Sequence, residues 1–274
     1  MNKAQLRLAV ENASNLPTLP DIVQKILEMV DSTKTTGRQL GAEISKDQVL
    51  SAKVLKLVNS GFYGFSEPIT TISHAVTMLG FNTVKSLVLS SSVLDLMDQA
   101  LPGLWDHSLA CARTCNIIAT HLEMPDAEEV STAGLLHDLG KVVLHQVMET
   151  EFQMVCRRVE KRDMLFYQAE EAVLDANHGE IGGWLLEKWT LPANLVEPIV
   201  YHHDFRPRRD HAERTALLHL ADILCRAESF GNGGDRKIPR LEPSALEVLE
   251  LTMEDVRIIM DQMNEELTDI KRVP

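Results

Sequence analysis

Ser86-Leu87-Val88-Leu89-Ser90 is the one stretch of this chain in which helix and strand compete. A run of three apolar residues between serines is too short to carry a period, so it fits a buried strand as well as a buried helix. The pattern on either side favours helix. With that reading the last place for a strand disappears, and the fold class is all-α.

Working outward, the apolar spacing is helical. Ile22, Ile26, Leu27 and Val30 fall at i, i+4, i+5 and i+8 after Pro20-Asp21. Val49, Ala52, Val54, Leu55 and Val58 form a second stripe behind Asp47, which reads as an N-cap, with Gly61 closing the helix. Thr36-Gly37-Arg38-Gln39 fits a capping box. Asp126-Ala127-Glu128-Glu129 opens a helix expected to carry His137. Gln99-Ala100-Leu101-Pro102-Gly103 then interrupts two long helical patterns. It divides the chain into an N-terminal helical lobe, residues 1–100, packed on a C-terminal helical bundle, residues 101–274. Residues 229–239, with Gly231, Gly233 and Gly234, read as a mobile surface loop, or as a lid near Asp222.

The chain of 274 residues is long enough to bury roughly 75% of its unfolded surface without disulfides. Its four cysteines, Cys111, Cys115, Cys156 and Cys225, show no C-x-x-C spacing and read as reduced thiols. No apolar run reaches the roughly 18 residues of a membrane span, and Met1-Asn2-Lys3-Ala4-Gln5 lacks a signal-peptide core, so a cytoplasmic protein without membrane contact is expected. A formal charge of −13 argues against duplex nucleic acid, whose affinity comes from Lys and Arg on phosphates. Arg206, Arg208, Arg209 and Arg214 form a local basic exception, read as a solvated loop.

The C-terminal part carries an ordered series of metal-type side chains: His107, His137-Asp138, His178, His202-His203 and Asp222. Imidazole and carboxylate suit first-row divalent ions. Asp138 stands in an apolar segment, where an unpaired carboxylate is rarely buried. Lys141 places a fixed cation three residues on. Two His and two carboxylates, His107, His137, Asp138 and Asp222, would leave two positions of an octahedral ion open for water or substrate. His178, His202 and His203, with Asp138 bridging, could hold a second ion, the arrangement used on phosphoesters. His202 and His203 point about 100° apart on a helix, so both reach one site only near its end. Cys111 and Cys115 lie on the His107 face and read as packing residues. His74, His121, His145 and His211 read as structural or surface, and His219 as a neighbour of the Asp222 cavity.

These residues resemble a known family. His107, His137-Asp138 and Asp222 are similar to the H…HD…D signature of the HD metal-dependent phosphohydrolase superfamily. His178 and His202-His203 resemble the added ligands of its two-metal branch, which includes the HD-GYP cyclic di-GMP phosphodiesterases. Leu16-Pro17-Thr18-Leu19-Pro20, the segment from Val49 to Ser60, and Ile72-Ser73-His74-Ala75-Val76-Thr77-Met78-Leu79-Gly80 look like the HDOD domain, an HD-related bacterial output module. The resemblance runs from Leu16 to about Phe230. Many HDOD proteins have lost the metal ligands, whereas this chain keeps the full set. After Tyr201-His202-His203-Asp204 comes Phe205-Arg206-Pro207-Arg208-Arg209 with no Gly-Tyr-Pro loop, so cyclic di-GMP hydrolysis does not transfer.

The resemblance implies a signalling module working through protein partners, with one or two divalent ions (Fe, Mn, Ni or Mg). The alternative is a metal-dependent phosphohydrolase acting on a nucleotide or other phosphorylated small molecule, with Asp138 and Lys141 in the catalytic machinery. A di-iron oxygenase is a third, weaker reading. No receiver, GGDEF-like or DNA-binding segment is read in the chain, so the signal is expected from another chain or a small molecule.

Overall fold

In the computed structural model every element among the described residues is a helix. The described residues are 3–13, 20–32, 34–59, 65, 67–125 and 127–268. They form α1 (Lys3–Glu11), α2 (Asp21–Asp31), α3 (Gly37–Ile44), α4 (Gln48–Val58), α5 (Ile72–Ala100), α6 (Leu104–His121), α7 (Ala127–Leu136) and α8 (Leu139–Val147). There follow α9 (Glu149–Arg162), α10 (Phe166–Leu174), α11 (His178–Lys188), α12 (Ala193–Tyr201), α13 (Ala212–Ala227), α14 (Pro243–Val248) and α15 (Met253–Glu266). The Leu16 to Leu19 motif, Gly61 as a helix terminator and Asp126 as a helix opener lie outside the described residues.

The ambiguous stretch is helical, inside α5. Leu87, Val88 and Leu89 are all at most 3% exposed, so this turn is covered on every side and shows no amphipathic period. α5 is two helical segments joined at Gly80, whose φ of 81° and ψ of 175° only glycine adopts without strain.

Tertiary contacts sort into two compact units, one of residues 1–17 and 96–265, the other centred on residues 18–95. In the second, Thr36 and Gln39 make the reciprocal capping box on α3, and Asp47 accepts from the Val49 and Leu50 amides to cap α4. The inward face of α4 differs from expectation. Leu50, Val54, Leu57 and Val58 are buried at i, i+4, i+7 and i+8, while Val49 is 66% exposed. Val49 sits in the capped first turn, one residue before Leu50 and so about 100° round the helix from the buried stripe. Asn59 pairs its side-chain amide with both backbone groups of Ile69, at 2.8 and 2.7 Å, fixing the chain beyond α4.

The first unit departs from the division at 100/101. Residues 1–17 belong with it, because α1 packs on α11. Leu6 and Val10, one turn apart, are buried, and burying each side chain contributes roughly 1.5–3 kcal/mol. Ion pairs from Lys3 to Glu180 and Arg7 to Glu187 hold the polar edge. Within the same unit α6 packs on α7 and α13, α12 on α7, α11 and α13, and α8 on α11. Those helices and the breaks at their ends carry all seven metal-type residues.

Candidate metal centre

Each candidate side chain reaches the centre through a helix end or an inward face. His107 lies on the first turn of α6, and Asp222 on the buried face of α13. His137-Asp138 was expected inside a helix; it occupies the break between α7 and α8 instead. Successive residues of a continuous helix diverge by about 100°, and the break lets both face one point. His178 is the first residue of α11, behind a capping box in which Asn177 and Glu180 exchange hydrogen bonds. His202 is the C-cap of α12, and His203 follows it past the helix end.

The seven converge. His107 Nε2 is 3.1 Å from Asp222 Oδ1 and 3.8 Å from Asp138 Oδ2. His137 Nε2 is 3.5 Å from Asp138 Oδ2 and 3.9 Å from Asp222 Oδ1. His178 Nε2 is 3.1 Å from Asp138 Oδ1 and 3.0 Å from His203 Nε2. The rings of His137 and His202 stand 5.1 Å apart. All but the half-buried His203 are at most 2% exposed.

Outer hydrogen bonds fix the tautomers. The Nδ1 atoms of His107, His137 and His202 face the carbonyls of Phe230, Gly134 and Ile199 at 3.2, 2.6 and 2.7 Å. A carbonyl only accepts, so each Nδ1 donates; the Nε2 atoms of His137 and His202 then turn a lone pair inward, and that of His107 faces Asp222 Oδ1. His178 Nδ1 donates to Glu170 Oε2 at 2.6 Å, and the His178 amide donates to the same oxygen. Inside stand the Nε2 atoms of His137 and His202 and Oδ2 of Asp138, buried and without a hydrogen bond, while Asp138 Oδ1 meets Lys141 and His178. Acceptors facing acceptors repel unless a proton or a cation lies between them. The donor set therefore fits divalent ions: one group is His107, Cys111, His137 and Asp222, another His178, His202 and His203, and a third His137, Asp138 and His202.

Electrostatics agree with this reading. Burial pushes the His137 pKa down to about 4, and burial together with the neighbouring imidazoles holds His202 and His203 well below the usual range. Burial would raise Asp138, but His137, Lys141 and His178 outweigh it and hold the carboxyl well below its ordinary value. Asp222 is lowered likewise, against burial, by His107 and Arg226. For His178 burial acts downward, and Glu170 and Asp138 outweigh it to raise the pKa.

Lys141 is 1% exposed, with Nζ 2.6 Å from Asp138 Oδ1 and 2.7 Å from the Gly233 carbonyl it donates to. Gly233 belongs to the glycine-rich segment, which packs on the centre instead of forming a surface loop. Phe230 is 1% exposed, and Gly231 lies so close to the His107 backbone that a Cβ would clash. A buried Arg226–Asp235 ion pair ties the segment down, and Asp235 also accepts the Phe166 amide at 2.7 Å. Asn232 donates its backbone amide to the Gly103 carbonyl at 2.9 Å. The remaining space beside His107 is a cavity of about 170 Å³ lined by Arg226, Phe230 and Lys237 among others.

Other candidates fall outside. His121 pairs with Asp255 and His145 with Glu149, Arg214 with Glu129 and Arg206 with Asp204. His219 donates from Nδ1 to the His202 carbonyl at 2.6 Å and accepts the Glu242 amide, so it steadies His202. Glu170 was missed, because one of two adjacent glutamates in an ordinary helix gives no spacing signal. Cys111 was read as packing, although its place one turn after His107 was visible.

The model of the HDOD domain matches residues 16–205. This chain belongs to the HDOD family. Asp222 and the 229–237 segment lie beyond the matched HDOD span. An HDOD domain protein of unknown function from Geobacter sulfurreducens superposes with a TM-score of 0.80 at 27% identity, over 97% of this chain and 96% of that one. A provisionally named phosphohydrolase from Shewanella amazonensis shares the fold, with a TM-score of 0.68 at 23% identity over 99% of this chain and 90% of that one. An uncharacterized protein of Treponema pallidum is 28% identical over 72% of this chain and 40% of its own length. Ribonuclease Y of Pelobacter propionicus is 28% identical over 44% of this chain and 18% of its own. This HDOD chain thus spans less than half the length of these curated relatives. None of its described helices is long and apolar enough to cross a membrane.

Proposed function

We propose that this chain is a bacterial regulatory HDOD module that keeps a buried divalent-metal centre and works through protein partners in signalling. The observation that carries the metal reading is the set of bare, buried acceptors: Nε2 of His137 and His202 beside Oδ2 of Asp138. In this reading His107, His137, Asp138 and Asp222 hold one ion. His178, His202 and His203 hold a second, with Asp138 between them. A bound ion of this kind polarises oxygen ligands and acidifies water. The protein's own groups position the donors: Glu170 orients His178, Lys141 anchors Asp138, and backbone carbonyls set three of the imidazoles.

Regulation is favoured over turnover by what covers the centre. Phe230, Gly231 and Gly233 lie against His107, and Lys141 is already satisfied by Asp138 and Gly233. Hydrolysis of a nucleotide or other phosphoester would need that segment to leave, so that Asp138 and Lys141 could meet the substrate.

The test is metal content per chain by mass spectrometry, on protein purified without a metal-affinity column. One or two divalent ions, lost in Asp138→Ala, are expected. No ion after anaerobic loading with Fe, Mn or Ni would overturn the metal reading. Steady hydrolysis of bis(p-nitrophenyl) phosphate by loaded protein, abolished in the variant, would replace regulation by catalysis.

A further inference from the structure

Cys111 stands one turn after His107 on α6 and is fully buried. Its Sγ lies 3.7 Å from His107 Nε2, the nitrogen that faces the centre and stands 3.1 Å from Asp222 Oδ1. One ligand atom each from His107, Cys111, His137 and Asp222 all fall within 4.8 Å of one another. Two of these donors are held by outer contacts, His107 through the Phe230 carbonyl and His137 through the Gly134 carbonyl. His137 Nε2 faces the group without a hydrogen bond.

We propose that Cys111 is a metal ligand, and that the His107–Cys111–His137–Asp222 set selects a borderline or soft divalent ion (Zn²⁺, Co²⁺ or Fe²⁺) over Mg²⁺ and Mn²⁺. This rests on the metal reading above and adds a sulfur donor to it. The geometry matches. Zinc holds sulfur at about 2.3 Å and imidazole nitrogen at about 2.0–2.1 Å, which at a tetrahedral angle separates S and N by about 3.6 Å. The observed separation is 3.7 Å.

Thiolate ligands favour zinc and iron, whereas carboxylate, carbonyl and water suit magnesium and manganese. One sulfur among nitrogen and oxygen donors therefore changes which ion the centre keeps. On coordination the Cys111 thiol loses its proton to solvent and its sulfur lone pair binds the ion; no oxidant or reductant takes part. Asp138 stays where it serves both positions, 3.5 Å from His137 and 3.1 Å from His178.

Cys115 supplies an internal control. It sits one turn further along α6, equally buried, and is outside the four-donor group. Cys225 accepts or donates at 3.2 Å with Thr114 and is outside it too. If the thiols near the centre served packing alone, all three would behave alike toward a metal.

The experiment strips the full chain of metal, reloads it anaerobically with Co²⁺, and records bound cobalt together with the near-ultraviolet spectrum. A thiolate-to-cobalt charge-transfer band is expected in the wild type, in Cys115→Ser and in Cys225→Ser. It is expected to vanish in Cys111→Ser and Cys111→Ala, with cobalt bound more weakly by at least the roughly 10–100-fold that loss of an outer partner costs. Cobalt bound by wild type without the band overturns the Cys111 assignment and leaves the His and Asp centre standing. A band that survives in Cys111→Ser overturns it as well. No cobalt bound by wild type overturns the metal reading and this inference with it. Should the Cys111 variants fail to fold, the band in a Cys115→Ser, Cys225→Ser double variant decides, since Cys111 is then the sole thiol left beside the centre. Its presence supports the assignment and its absence overturns it.

Discussion

Glu170 is fully buried and makes two hydrogen bonds to His178, one to the ring and one to the backbone. It sets which nitrogen of His178 faces inward and keeps that imidazole basic. Glu170→Ala frees the ring and leaves two buried donors unsatisfied. Loss of such a partner costs roughly 10–100-fold in metal affinity. Competition with a chelator should show this loss at one of two bound ions, the one assigned to His178, His202 and His203. Unchanged release of both would mean that Glu170 positions nothing. Gly140 is a second case in which one atom matters. It lies against the His178 carbonyl and the Gly182 amide, where α8 and α11 approach most closely. Ala is better than Gly in a helix by about 1 kcal/mol. An added Cβ here meets backbone, not a flexible side chain, and overpacking costs typically about 1–3 kcal/mol. Gly140→Ala should therefore lower stability on balance and move Asp138 away from His178, reducing metal content as well. A variant more stable than wild type, with full metal content, would contradict the close approach.

Most of the donors sit where elements begin and end: α8 starts after Asp138, α11 starts at His178, and α12 ends before His202, whereas Asp222 lies inside α13. At α11 the start is set by Asn177, whose side chain accepts the Glu180 amide while Glu180 reaches back to the Asn177 amide. Asn177→Ala removes that cap, at a cost of about 1 kcal/mol. The thermal midpoint of the metal-free protein, followed by circular dichroism, should fall by roughly 2–4 °C for that loss. No change would mean that α11 is set by packing alone. Terminus signals of this kind made much of the fold legible. Thr36 and Asp47 mark starts that the structure contains, and the metal-type residues stood in chain order before any contact was known. The break at His137-Asp138 was not legible, because the segment from Ala133 to Leu144 is buried throughout and its polar residues, His137, Asp138 and Lys141, keep helical spacing across the break. Nor was the placement of α1. A nine-residue helix with two inward residues does not say which neighbour buries them. The glycines at 231, 233 and 234 were read as freedom. Here Gly231 permits contact with the His107 backbone, which only the tertiary structure can reveal.

Across the whole molecule, the centre is where protons most strongly oppose folding. In metal-free protein His137 titrates near 4 and His202 lower than its ordinary value, both chiefly through burial. An unfolded histidine titrates near about 6.5, so between these values the unfolded chain binds more protons than the folded one. Stability carried by such depressed groups is present above the unfolded pKa and is lost as pH falls toward the folded one. Each proton taken up on unfolding gives a slope of about 1.4 kcal/mol per pH unit. Asp138 and Asp222, held low by their cationic neighbours, act in the same direction at still lower pH. His178 opposes them: its raised pKa gives stability that is complete below about 6.5 and is lost as pH rises through the folded value. Its contribution is therefore flat in the acid range, where the depressed histidines dominate. Urea midpoints of metal-stripped protein should fall from pH 7 to pH 5, as each such histidine lowers the unfolding free energy by up to about 1.4 kcal/mol per pH unit below about 6.5. With metal bound, the same lone pairs are occupied by an ion instead of meeting protons. The loaded protein should hold its pH 7 midpoint further into acid, then drop as the metal is displaced. Equal pH dependence of stripped and loaded protein would mean that the ion, if bound, does not sit among these imidazoles.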